Sequence, residues 1–113
     1  MTTQPGESPA HAFGIRTAKA RLEAAGGGYE IVHESRGLEL AVYVLVAPVP
    51  DRQQPHADDE VYVVLEGSGT LDVEGERVDL REGQAAFVAA GAEHHFVGYE
   101  HLAVLVIFAR GAR

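Results

Sequence analysis

Short runs of Val, Ile, Leu, Tyr and Phe, interrupted roughly every 8–12 residues by Gly, Pro or Asp, leave this chain little to build except β-sheet. The runs fall at residues 29–34 (YEIVHE), 38–47 (LELAVYVLVA), 60–67 (EVYVVLEG), 70–75, 76–83, 84–93, 94–98 and 99–109, with Ser68-Gly69 read as a turn. Strands this short, separated by turn residues, predict an all-β barrel or sandwich. Before them, Thr17 is expected to cap a short helix through AKARLEAA, which Gly26, Gly27 and Gly28 stop. Residues 71–81 read as a hairpin turning at Glu74-Gly75-Glu76, with Leu71, Val73, Val78 and Leu80 facing the core. Phe87, Phe96 and Phe108 are expected in the core. His33 is expected to pack there as well.

Residues 1–14 are expected to form a flexible arm, and 15–113 one domain. The first ten hold two Pro, one Gly and four Ser, Thr or Gln, with too little apolar surface to offset the entropy of ordering. With 113 residues, a formal charge of -8 and 46% hydrophobic residues, the chain fits a single globular unit. The acidic balance excludes an electrostatic grip on nucleic acid or anionic membranes. The longest apolar stretch, Leu102 to Ala109, is far short of the roughly 20 residues that span a bilayer. No signal peptide is visible at the N-terminus, so the cytoplasm is the expected location.

The chain has no cysteine, so a metal would have to be held by imidazole, carboxylate or amide oxygen. Gln54, His56 and Glu60 lie an even number of residues apart, so on an extended strand they would share a face, and His94 would join them from another strand. Two imidazoles and one carboxylate suit a divalent transition metal with positions left open for substrate. Without metal, the same groups would form a hydrogen-bonded cluster able to do acid–base work. Gln54 would serve as a weak fourth ligand or as a hydrogen-bond donor behind the ligands. Tyr62 shares parity with Glu60, and Tyr43 lies on a neighbouring run. Their hydroxyls are candidates to meet a substrate, with cross-strand packing as the alternative. Asp58 and Asp59 read as turn residues, His95 as outward-facing, and His11 and His101 as bystanders.

Two stretches carry a family resemblance. Residues 54–67 read QPHADDEVYVVLEG and residues 83–94 read GQAAFVAAGAEH. They resemble the two conserved motifs of the cupin superfamily. The first motif runs His, one residue, His, three or four residues, Glu, six residues, Gly. The second runs Gly, five residues, Pro, one residue, Gly, two residues, His, three residues, Asn. His56, Glu60 and Gly67 match the first, and Gly83, Gly91 and His94 the second. Gln54 stands at the first His position, Ala89 at the Pro and Gly98 at the Asn.

The resemblance spans about residues 37–109. It implies a double-stranded β-helix, or jelly-roll barrel, with a short N-terminal helix before it. It also implies a metal site of His56, Glu60, His94 and Gln54 holding iron, manganese, nickel, copper or zinc; beside it, the strand positions and side-chain chemistry make Glu60, Tyr62 and Tyr43 the candidate catalytic residues. The expected function is a small metal-binding cupin that binds and transforms a small organic molecule by dioxygenase-like or isomerase-like chemistry. A non-enzymatic ligand-binding or sensing cupin and a metal-free acid–base isomerase stay open beside it. Unpaired strand edges, and the similarity to other small cupins, point to a homodimer.

Overall fold

A computed structural model describes residues 9–110. One helix, α1 (Ile15–Ala24), precedes seven strands: β1 (Gly28–Glu34), β2 (Leu38–Val46), β3 (Asp59–Val73), β4 (Glu76–Arg81), β5 (Ala85–Val88), β6 (His94–Val97) and β7 (His101–Ala109). All pairings are antiparallel, and the main path runs β1-β2-β7-β3-β4. This is the jelly-roll arrangement expected, with the short helix in front of it.

Long β3 joins the two layers. Its first half lies between β7 and β5, and its second half pairs with β4 and β6. Where a turn was expected at Ser68-Gly69, the chain bends without breaking. A register shift between Val64 and Glu66 is followed by Gly67 at φ +84°, where a Cβ would stand 2.1 Å from the His101 carbonyl oxygen. Only glycine fits that crossing.

The alternating faces of β2 and β7 explain their unbroken apolar runs, because both faces are covered. Inward, Ala41, Leu45, Val104, Val106 and Phe108 join Tyr62, Leu71 and Phe96 in the barrel core. Outward, Val42, Val44 and Ala103 receive Ala18 and Leu22 of α1. Burying Leu22 there contributes about 1.5–3 kcal/mol.

Several expectations are corrected. The helix starts two residues ahead of Thr17, at a Gly14 N-cap with no side-chain cap. The hairpin turns on two residues, Glu74 (φ 50°) and Gly75 (φ 88°), the left-handed pair of a tight hairpin, and Glu76 already belongs to β4. Val78 is 40% exposed because β4 ends the sheet path and nothing covers its flank. Phe87 is 62% exposed, since on four-residue β5 it has the parity opposite to buried Val88. His33 does not enter the core: its ring stacks on Phe13 at 5.4 Å and meets His11 at 5.1 Å. Of the arm expected over 1–14, residues 1–8 lie outside the described residues, whereas His11 and Phe13 pack against β1. No described helix is long and apolar enough to cross a membrane.

Candidate metal centre

Three elements bring His56, Glu60 and His94 together. Glu60 sits near the start of β3, in register with Val88 on one side and Phe108 on the other. His94 opens β6. His56 comes from the loop before β3, where its carbonyl accepts a 2.7 Å hydrogen bond from the Gly91 N–H, so the second motif's glycine holds the first motif's histidine. The His56 ring lies edge-on to Phe108 at 4.7 Å and 5.5 Å from the His94 ring. One donor atom from each of the three residues lies within 4.8 Å of the others.

The polarity of this trio is unusual for a protein interior. Glu60 and His94 are each only 2% exposed. His94 Nδ1 is 2.8 Å from the Ala92 carbonyl oxygen; a carbonyl only accepts, so Nδ1 carries a proton. In the neutral ring Nε2 is then a bare lone pair, and it stands 3.0 Å from Glu60 Oε1. Neither that nitrogen nor either Glu60 oxygen makes a hydrogen bond. Two buried acceptors face each other, at a cost of several kcal/mol unless positive charge is supplied.

A proton on His94 would supply it: burial opposes that charge, but Glu60 and the Ala92 carbonyl outweigh burial and raise the His94 pKa. A divalent cation would supply it too. A proton needs two partners, and this cluster has three. Nitrogen and carboxylate donors with unshared lone pairs fit a borderline transition metal.

In front of the cluster opens a cavity of about 440 Å³, lined by Tyr29, Glu39, Tyr43, Gln53, His56 and Glu60 among others. That volume suits one small organic molecule. Asp51, only 7% exposed, organises its inner wall. It accepts hydrogen bonds from Tyr43 Oη (2.7 Å), Gln53 Nε2 (2.6 Å), Gln53 N (3.3 Å) and Phe96 N (2.8 Å). Gln53 Oε1 in turn accepts from Tyr62 Oη at 2.8 Å. Burial and the neighbouring carboxylates, Glu60 for Tyr62 and Asp51 for Tyr43, push both phenols well above their usual pKa.

Most of the expected site residues fall around this point. Tyr43 lines the cavity, and buried Tyr62 lies behind it, its ring 6.1 Å from that of His94. Gln54 does not take the fourth place. It is exposed and absent from the cavity wall, while Gln53 faces inward. The reason is local: residues 51–56 form a loop, so the two-residue alternation of a strand does not apply to them.

Asp58 lines the cavity, and Asp59 Oδ1 accepts from the Ala90 N–H instead of closing a turn. His95 is exposed, as expected. His101 is no bystander, because its Nε2 reaches Glu23 at 2.7 Å. Asp51, Gln53, Tyr29 and Glu39 were not singled out by sequence. Glu39 was within reach, since it shares strand parity with Tyr43. Nothing in the loop composition marks Asp51.

Comparison with known proteins agrees with this geometry. Residues 42–108 match the family model described as the cupin domain. A Streptomyces coelicolor protein is 36% identical over 98 residues, which cover 86% of this chain and 93% of that one. The solved structure of TT1209 from Thermus thermophilus is 29% identical with a TM-score of 0.66, covering 74% of this chain and 83% of its own. An RmlC-like cupin with a double-stranded β-helix fold from Methanocaldococcus jannaschii superposes at a TM-score of 0.74 with 13% identity. That match covers 92% of this chain and 94% of the other.

Proposed function

The chain belongs to the cupin domain family, and on that premise we propose that it is a small metalloprotein that binds and transforms a small organic molecule, with His56, Glu60 and His94 holding a divalent transition metal. The observation that carries the reading is the set of three buried donor atoms, Glu60 Oε1, Glu60 Oε2 and His94 Nε2, that find no hydrogen-bond partner while a second imidazole converges on them. Bound there, such a metal would supply Lewis acidity and open positions for a ligand oxygen or nitrogen.

The chain's own residues do the rest. The Ala92 carbonyl holds the His94 ring with Nε2 facing the cluster. Phe108, packed edge-on to His56, limits water on that side. Tyr43, placed by Asp51, presents its hydroxyl oxygen to whatever fills the cavity, and Gln53 is locked between Asp51 and Tyr62. The choice between dioxygenase-like and isomerase-like chemistry lies with the metal and the ligand.

Edge strand β1, with Tyr29 and Ile31 exposed, is also proposed as the contact that makes a homodimer. Light scattering that returns a 12.1 kDa particle would remove that contact.

Elemental analysis tests the metal. Protein purified without chelator should carry one transition metal per chain, and Glu60→Gln and His94→Ala should lose it while keeping wild-type circular dichroism. If calorimetric titration of apo protein with iron(II), manganese, nickel, copper and zinc gives no stoichiometric binding, the reading is wrong.

A further inference from the structure

We infer that the cavity selects a small ligand carrying an amine cation, received by its tyrosine wall, and disfavours ligands whose outward end is anionic. The inference rests on the proposed function in one respect: the ligand's other end is taken to lie toward His56, Glu60 and His94.

The argument begins with two protons. Tyr29 and Tyr43 are register partners on β1 and β2, their rings edge-on at 5.7 Å, and both line the cavity. A phenol has one proton to give. Tyr29 gives its own to Glu39 at 2.7 Å, and Tyr43 gives its own to Asp51 at 2.7 Å. Burial, reinforced by those same carboxylates, raises both pKa values, so neither phenol ionises at neutral pH. What remains for a ligand is two oxygen lone pairs. Along this wall the protein offers acceptors and asks for donors.

Charge points the same way. Arg110 is the basic residue among those lining the cavity, and its Nη2 is already drawn to Glu34 at 2.6 Å and to Glu39. Glu34, outside the cavity wall, and Glu39, within it, share that one guanidinium, so its charge is already matched, on a chain whose formal charge is -8. A ligand carboxylate or phosphate here would face Glu39 and two phenol oxygens whose protons are already given to Glu39 and Asp51. An ammonium would meet three acceptors and the edge-on aromatic pair, an environment that favours cations in a partly desolvated site.

Three probes that share a phenethyl body and differ in their polar end test this: phenethylamine, 2-phenylethanol and 3-phenylpropanoate. Their dissociation constants would be measured by ligand-observed NMR on chelator-treated wild-type protein at pH 7 and low salt, so that no metal captures the carboxylate. The amine should bind about tenfold tighter than the carboxylate, with the alcohol between them, which is the scale of one favourable charge contact. That gap should narrow in 0.5 M salt, at a Debye length of roughly 4 Å. It should also narrow in Glu39→Gln, and Tyr43→Phe should weaken the amine while sparing the carboxylate. A carboxylate or alcohol that binds as tightly as the amine overturns the inference, as does a gap that salt leaves unchanged. Metal content is read separately. Amine selectivity without metal uptake would sink the metal reading alone, and metal uptake without amine selectivity would sink this one.

Discussion

Among the described residues, carboxylate and histidine gather into a cluster twice, and the two clusters differ in what neutralises them. At the cavity, His56, Glu60 and His94 converge; on the outer face, under α1, Glu23, Glu66 and His101 converge with donor atoms equally close. The outer cluster already contains its cation. Lys19 Nζ lies 2.9 Å from Glu23 and 2.7 Å from Glu66, and His101 Nε2 is 2.7 Å from Glu23. Its side chains are partly exposed, so water shares the load. In the inner cluster Glu60 and His94 are buried, and among the described residues no Lys or Arg is paired with them. Proximity of ligand-type side chains is therefore weak evidence for a metal. Burial together with missing positive charge is the stronger sign.

The sharpest way to break this contrast is to remove one histidine from each cluster. His94→Ala should lower metal affinity by on the order of a hundredfold or more, since loss of a mere supporting partner costs roughly 10–100-fold. His101→Ala should leave metal content unchanged. Mass-spectrometric metal analysis of the two variants side by side decides it, and equal losses in both would end the distinction.

Next in size is Asp51→Asn. Four donors converge on the Asp51 carboxylate, and an amide would turn its own N–H groups toward some of them. Leaving buried donors unmatched should cost about 2–4 kcal/mol, a fall of roughly 10–20 °C in Tm for a domain of this length. Denaturant unfolding measures it. A change within about 0.5 kcal/mol would mean that the network places the wall without stabilising the fold.

Asp51 also marks where sequence reading stops. Glu60, Gly67 and His94 were legible because their spacing reflects strand register and a backbone crossing that only glycine allows, and His56, in the loop ahead of β3, was legible through the family motif. The double-covered strands β2 and β7 were legible as continuous apolar runs. Asp51 and Gln53 lie in a loop with no periodicity, and their neighbours Tyr43, Tyr62 and Phe96 come from three separate strands, so only the folded chain shows the contacts. The same absence of periodicity placed Gln54 where Gln53 belongs. The turn expected at Ser68-Gly69 failed for a different reason: glycine marks a bend as readily as a turn, and composition does not say whether pairing continues through it.

The outer cluster is where the effects are smallest. Lys19→Met should leave Glu23 and Glu66 without their cation and cost about 0.5–1 kcal/mol. The same ion pair carries a pH signature. Lys19, opposed by partial burial and aided by His101, holds the Glu23 carboxyl below its ordinary value of 4.5. A carboxylate with a lower pKa folded than unfolded takes up protons more readily in the unfolded chain. Its contribution is therefore full at pH values above the unfolded pKa and is lost as pH falls through the folded one. The difference in unfolding free energy between wild type and Glu23→Gln, a few tenths of a kcal/mol for so exposed a pair, should hold steady near pH 6 and shrink below about 4.5. Salt at 0.5 M should flatten it. A difference indifferent to both acid and salt would mean that Glu23 acts by packing α1 on the sheet, and the outer cluster would then be no electrostatic counterpart to the inner one.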